Sequence, residues 1–223
     1  MKLLALDTST EYCSLALWLE GEVVSREALA GQRHSELVLP MLQELLAEGG
    51  VTLGALDGIA FGSGPGSFTG LRIACGVAQG LAFGADLPVA GVCTLEALAQ
   101  GAGGKRVIAC LDARMGEVYH AAYVRGEERW QTLSIPGLYS PEQVPAVDGG
   151  GWIGCGSGFA AYGEQLRGQY GERLTGVMGE VFPHARHMAP LAVALFEDGA
   201  AVEPWHAAPL YIRDKVALKV GER

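Results

Sequence analysis

The chain is 223 residues long, enough for one large domain or two small ones, and it carries a net charge of −9. That balance argues against a free-standing nucleic-acid binder, which usually needs a broad basic field; in any RNA pathway another subunit is expected to supply most phosphate contacts. The five cysteines, Cys13, Cys75, Cys93, Cys110 and Cys155, sit in apolar segments without a C-x-x-C pair, a pattern that argues against a disulfide framework and a zinc site.

The first seven residues hold an apolar run too short for a signal peptide or a membrane span, so a cytoplasmic location is expected. Strands are predicted at 3–7, 13–19 and 22–29, then a helix at 35–48 with Leu37, Met41, Leu45 and Val38, Leu42, Leu46 at helical spacing. A short buried strand at 58–61, a helix at 68–84 and a strand at 89–92 follow, and Thr94 reads as the cap of a helix at 95–100. The flexible stretch Gly101-Ala102-Gly103-Gly104 sets a boundary between units 1–104 and 105–223. Three strands are predicted between 106 and 135, a proline-bearing connection at 136–145, a strand at 152–155 and helices at 159–170 and 190–198. The tail from Pro204 carries Tyr211-Ile212-Arg213 and then a polar end expected to be mobile. Strands alternating with helices give an α/β class.

The two units echo each other. At an offset of 105 residues Leu6 falls on Leu111, Asp7 on Asp112, Ala16 on Ala121, Gly21 on Gly126 and Glu22 on Glu127. Each copy reads as an apolar strand ending in Asp, a second strand, a Gly-Glu turn and a third strand. A second echo pairs Gly62-Ser63-Gly64-Pro65-Gly66-Ser67-Phe68 with Gly154-Cys155-Gly156-Ser157-Gly158-Phe159, each between a strand and a helix. Two echoes in the same order imply a duplicated fold.

Several motifs resemble the TsaB (YeaZ) family. They are Leu4-Ala5-Leu6-Asp7-Thr8-Ser9-Thr10, His34-Ser35-Glu36 with Leu39-Pro40, and Gly64-Pro65-Gly66-Ser67-Phe68-Thr69-Gly70-Leu71-Arg72-Ile73. Asp112-Ala113-Arg114-Met115-Gly116-Glu117-Val118-Tyr119 and Tyr211-Ile212-Arg213 add to them. The resemblance implies the duplicated actin, sugar-kinase and Hsp70-like (ASKHA) fold with two similar subdomains. It also implies a non-catalytic scaffold that binds the enzyme TsaD, joined by TsaE, in threonylcarbamoyl transfer to adenosine 37 of tRNA. Such a subunit pairs with itself as well, and meets tRNA only through the complex.

The residues that could carry chemistry read as structural. Asp7 and Asp112 match acids that position metal and phosphate in active relatives, but Thr8-Ser9-Thr10-Glu11 brings an acid beside Asp7 where a phosphate cradle needs Gly or Lys. Both are read as turn-capping aspartates. The loop 62–66 lacks the Gly-Lys-Ser/Thr of a Walker A motif, and Ser67 reads as a helix cap. TsaD relatives carry a metal-binding His-x-x-x-His pair; here His34 is followed four places later by Val38. His184 and His187 read as an exposed pair. No catalytic residue, cofactor or metal site is expected. The competing classes are an ATP-dependent kinase or hydrolase of the same superfamily, and a metallopeptidase-like enzyme.

The helix at 68–84 carries Ala74, Ala78 and Ala82 on one stripe and Gly76, Gly80 and Gly84 on another. Each interior glycine costs a helix about 1 kcal/mol relative to alanine, so one stripe is expected to pack inward and the other to meet a partner helix. With the helix at 35–48, and as the resemblance implies, this places a partner interface at Leu37, Met41, Leu71, Arg72, Cys75 and Gln79.

Overall fold

A computed structural model describes residues 1–213, and the polar end expected to be mobile lies outside the described residues. The first half lays down β1 (Lys2–Asp7), β2 (Tyr12–Leu19), β3 (Glu22–Leu29), α1 (His34–Glu48), β4 (Gly58–Gly64), α2 (Phe68–Ala85), β5 (Val89–Cys93) and α3 (Thr94–Ala102). The second half has β6 (Arg106–Arg114), β7 (Glu117–Arg125), β8 (Trp130–Tyr139), β9 (Trp152–Cys155), α4 (Ser157–Ala161), α5 (Gly163–Tyr170), β10 (Leu174–Met178) and α6 (Ala185–Glu197).

Each half forms a five-stranded sheet, in the orders β3-β2-β1-β4-β5 and β8-β7-β6-β9-β10, which are the same order. In both, the first three strands are antiparallel neighbours and the last two add in parallel. The duplication read from the sequence is therefore a duplication of topology. The β2–β3 turn places Glu20 and Gly21 at φ 54° and 110°, and the β6–β7 turn places Met115 and Gly116 at 57° and 77°. Two consecutive positive φ values match the twist of a tight hairpin.

Alternation along the strands sets the layers. Leu4 and Leu6 face α1 and α2, packing with Val38, Leu42, Leu45, Ala74, Ala78 and Ala82. Leu3 and Ala5 face the opposite way, onto Ala185, Met188, Ala189 and Ala192 of α6. In the second sheet Val107, Ala109 and Leu111 meet Leu95, Leu98 and Ala99 of α3. Ile108 and Cys110 meet Phe159, Leu166 and Tyr170 on the far side. The closing helix of each half thus packs on the other half's sheet, and α3 and α6 touch between the sheets. This exchange interlocks the halves across the Gly101–Gly104 stretch.

Four local readings change. The helix expected at 159–170 is two short helices broken at Tyr162, whose φ of −128° and ψ of 35° are not helical. β10 was not foreseen, because Leu174-Thr-Gly-Val-Met is short and interrupted by Gly176. The last helix starts at Ala185 and runs through Pro190. Proline in that second turn removes only one intrahelical donor, so the helix persists. Thr94 opens α3 as its first helical residue, with Cys93 at the cap position. Its hydroxyl donates instead to the Pro65 carbonyl, which ties α3 to the glycine-rich loop.

Candidate partner-binding face

The helices α1 and α2 lie side by side on the outer face of the first sheet. The alanine stripe of α2, Ala74, Ala78 and Ala82, is fully buried against that sheet. The glycine stripe points the other way. An alanine methyl built at Gly76, Gly80 or Gly84 would find nothing within 4 Å. These three glycines therefore weaken the helix by about 1 kcal/mol each without making room for any group among the described residues. The same two helices carry exposed apolar side chains: Phe83, next to Gly80 and Gly84 by helical spacing, is 73 % exposed, Leu39 on α1 47 % and Phe68 at the start of α2 44 %. A bare helix backbone on a pair of helices that also exposes large apolar groups supplies the ingredients of a helix-on-helix contact.

The residues singled out in the sequence divide over this face. Arg72 is exposed, with its guanidinium 3.4 Å from the Phe68 ring centroid and 5.4 Å from that of Tyr211. Leu37 is half-buried and packs on the first-sheet core. Met41, Leu71 and Cys75 are buried beneath the surface. Gln79 is half-buried, and its Nε2 donates to the Ala207 carbonyl at 3.1 Å; Cys75 Sγ lies 3.6 Å from the same oxygen. Leu39, Phe68 and Phe83 were missed. The signal was present for Phe83: residues 72, 76, 80 and 83 follow one helical stripe. The wet side of α1 is as expected, with Glu36, Gln43, Glu44 and Glu48 exposed, and Arg26 of β3 pairs with Glu44 and Glu48 at 2.9 Å each.

Around Asp7 the loops close on one another. Asp7 Oδ1 accepts from the Ser9 amide at 3.1 Å and the Ser9 hydroxyl at 2.9 Å, the turn-capping role read from the sequence. Its Oδ2 is buried and makes no hydrogen bond among the described residues. Burial pushes the Asp7 carboxyl up to about 7, against the pull of its two Ser9 hydrogen bonds. The loop after it is clamped onto the start of α2. The Thr8 hydroxyl donates to Gly70 O at 2.6 Å, and the Ser67 amide donates to Ser9 O at 2.8 Å. Ser67 caps α2, its Oγ accepting from Gly70 N at 3.3 Å. A methyl at Gly66 would sit 2.7 Å from Ser9 O, so the two loops meet backbone to backbone. Asp112 repeats the turn in the second half, accepting from the Arg114 amide at 2.8 Å.

The histidine reading needs one correction. His184 is 7 % exposed, not solvated: it packs edge-on to Tyr12, and its Nδ1 lies 3.4 Å from Glu27 Oε2, too poorly aligned for a hydrogen bond. It precedes α6, which is packed on the first sheet, and that docking buries it. His187 is half-buried beside it, and burial together with Arg186 pushes its pKa down to about 4. Among the described residues, no three of His, Cys, Asp and Glu are arranged to hold a metal ion, and no helix is long and apolar enough to cross a membrane.

The duplicated sheets with exchanged helices define an α/β protein of the actin, sugar-kinase and Hsp70-like class. A family model described as TsaD, tRNA N6-adenosine threonylcarbamoyltransferase, matches residues 22–151. The tRNA threonylcarbamoyladenosine biosynthesis protein TsaB of Escherichia coli K12 is 43 % identical over 228 residues, covering 98 % of this chain and 97 % of that one. Its Haemophilus influenzae counterpart is 40 % identical, with 98 % and 96 % covered. Among solved structures, YeaZ from Pseudomonas aeruginosa superposes with a TM-score of 0.87 at 40 % identity, covering 94 % of this chain and 99 % of that one. A further Pseudomonas aeruginosa structure, described by its similarity to peptidase YEAZ, gives 0.88 at the same 40 % identity, with 95 % and 99 % covered. The chain belongs to the TsaB family.

Proposed function

We propose that this chain is a non-catalytic partner subunit in the formation of threonylcarbamoyladenosine on tRNA. It docks TsaD, with TsaE joining the assembly, and pairs with itself through the same face. The observation that carries the reading is the outward glycine stripe of α2, with Leu39, Phe68 and Phe83 exposed on the same two helices. A stripe that costs helix stability and serves no contact among the described residues fits a surface kept bare for another helix. In this reading the unit 1–104 carries the docking face, with Arg72 and Leu37 in contact and Met41, Leu71, Cys75 and Gln79 supporting it from below. The unit 105–223 braces it, and tRNA is met only through the assembly. The family's relatives support the pathway by name, since the Escherichia coli and Haemophilus influenzae proteins are called threonylcarbamoyladenosine biosynthesis proteins.

Two features among the described residues weigh against the kinase, hydrolase and metallopeptidase alternatives. A phosphate beside Asp7 would have to displace backbone already hydrogen-bonded between residues 7–9 and 67–70. The position four residues after His34 is the buried Val38, which holds the helix to the core.

Light scattering on a sizing column tests the reading, with the chain alone and mixed with TsaD of its own organism at micromolar concentration. A one-to-one complex is expected. Gly80→Glu or Phe83→Asp should weaken it about thirtyfold or more, the scale of a central interface residue, with the thermal melt little changed because both positions are exposed. Absence of association by the unmutated chain would end this reading, and ATP binding would then be measured.

A further inference from the structure

The last described stretch of chain crosses from one half of the molecule to the other. After the turn Pro204–His206, the Ala207 carbonyl is held by Gln79 at 3.1 Å and faced by Cys75, both on α2. Three residues on, the Leu210 amide donates to Ser63 O at 2.7 Å, at the loop end of β4. A methyl at Gly64 would sit 2.8 Å from Leu210 O, so the strap lies directly on the glycine-rich loop. The Tyr211 ring then packs 5.9 Å from Phe68, with Arg72 over both rings. Arg213 reaches the second half. Its Nη2 donates to Ala113 O at 3.0 Å and pairs with Glu117 Oε2 at 2.7 Å, while Nη1 lies 3.1 Å from Met115 Sδ. What remains of the cleft is a pocket of about 50 Å³ bordered by Pro65, Leu71, Tyr119 and Ile212.

The far anchor is a demanding piece of backbone. Arg114, Met115 and Gly116 run at φ 63°, 57° and 77°, and only the third is a glycine. Side-chain-bearing residues resist the left-handed region and persist there when their surroundings over-determine the shape. Arg213 does so from beneath, with its side chain 13 % exposed.

We infer that residues 207–213 form a latch that fixes the setting of the two halves and couples the α2 face to the β6–β7 hairpin. The strap is a single short segment fastened at both ends. Loosening either anchor raises the freedom of the whole segment, and linkage makes the effect reciprocal between the ends. A partner that covers Phe68, Arg72 and Tyr211 would tighten the strap and quieten the hairpin; that consequence rests on the docking face proposed above, whereas the latch itself does not.

Hydrogen exchange read by mass spectrometry on the full chain without a partner tests the latch. Gln79→Glu keeps the side chain's size but sets a carboxylate oxygen against the Ala207 carbonyl. Amides at 112–118 should then exchange about tenfold faster, although Gln79 touches none of them, the scale expected when a hydrogen-bonded anchor opens. Arg213→Ala should in turn speed exchange at the Leu210 amide and in the first turn of α2. Acceleration confined to the neighbourhood of each mutated side chain would overturn the latch. If Gln79→Glu fails to fold by circular dichroism, the Arg213→Ala readout decides alone. The association experiment above is separate, so the loss of either result leaves the other standing.

Discussion

Alanine at Gly70 is expected to destabilise the chain by about 3 kcal/mol or more, while alanine at Gly76 or Gly80 in the same helix is expected to stabilise it by about 0.5–1 kcal/mol each. The substitution is chemically the same, and only its surroundings differ. A methyl at Gly70 would lie far inside van der Waals contact distance of the Thr8 carbonyl oxygen, and that oxygen is backbone that cannot swing aside. The same loop is pinned by the Thr8 hydroxyl on Gly70 O, so relief would break the contact that joins β1 to α2. At Gly76 and Gly80 the methyl enters open space and removes only the entropic penalty of glycine. Urea unfolding of the three single variants, below any self-association concentration, reads the signs directly. The Gly76→Ala/Gly80→Ala pair should gain about 1–2 kcal/mol of stability yet lose association with a partner, because two methyls hold the facing backbone away. A loss of stability at Gly76 would mean that the stripe serves the chain's own packing.

Much of this fold was legible because duplication and alternation leave marks that local reading catches. The Leu6–Asp7 and Leu111–Asp112 pairs lie at equivalent ends of β1 and β6, and the glycine-rich segments both run from the end of the fourth strand of their sheets towards the next helix. What escaped was decided at long range. Nothing near Thr94 announces that its hydroxyl would serve Pro65 instead of its own helix. The Leu174–Met178 strand exists because β9 offers it a parallel edge, not because its own residues insist on one. His184 and His187 read as exposed from a polar, proline-flanked neighbourhood, yet the exchange of α6 onto the first sheet buries the first and half-buries the second.

The proposed docking face was half legible for the same reason. The alanine and glycine stripes of α2 are a local pattern, and their inward and outward sense follows from the helix period once one stripe is known to be buried. The particular residues were harder. Cys75 and Gln79 look available on the helix alone, but the strap from 128 and more residues away in sequence reaches them first. Phe83, near the end of α2, is exposed where a sequence reading expects a phenylalanine to be buried.

Asp7→Asn should make the chain more stable by about 2 kcal/mol near pH 8 and leave it no more stable near pH 4. The Asp7 carboxyl is held up to about 7 in the folded chain by burial, against an ordinary 3.8. Below about pH 4 both folded and unfolded chains hold the proton, and Asp7 contributes no pH-dependent penalty. As the pH rises from 3.8 towards 7 the unfolded carboxyl ionises while the folded one keeps its proton, so the folded state binds more protons and stability falls. Above about 7 the folded carboxyl ionises too, and the loss levels off. Its upper bound is about 4 kcal/mol, since each tenfold weakening of the acid on folding costs about 1.4 kcal/mol. Asparagine is uncharged throughout. Its carbonyl oxygen can still accept from the Ser9 amide and hydroxyl, while its amide takes the place of Oδ2, which has no hydrogen-bond partner among the described residues. That orphaned donor costs about 1–3 kcal/mol and reduces the gain to the predicted figure. His120 and His187, pushed down to about 4 by burial, act in the opposite direction as the pH rises. They are present in both chains, so the difference between wild type and variant isolates Asp7. Denaturant unfolding at a series of pH values measures that difference. Parallel stability curves would mean that the Asp7 carboxyl titrates in the fold as it does in the unfolded chain, which would overturn the effect assigned to its burial.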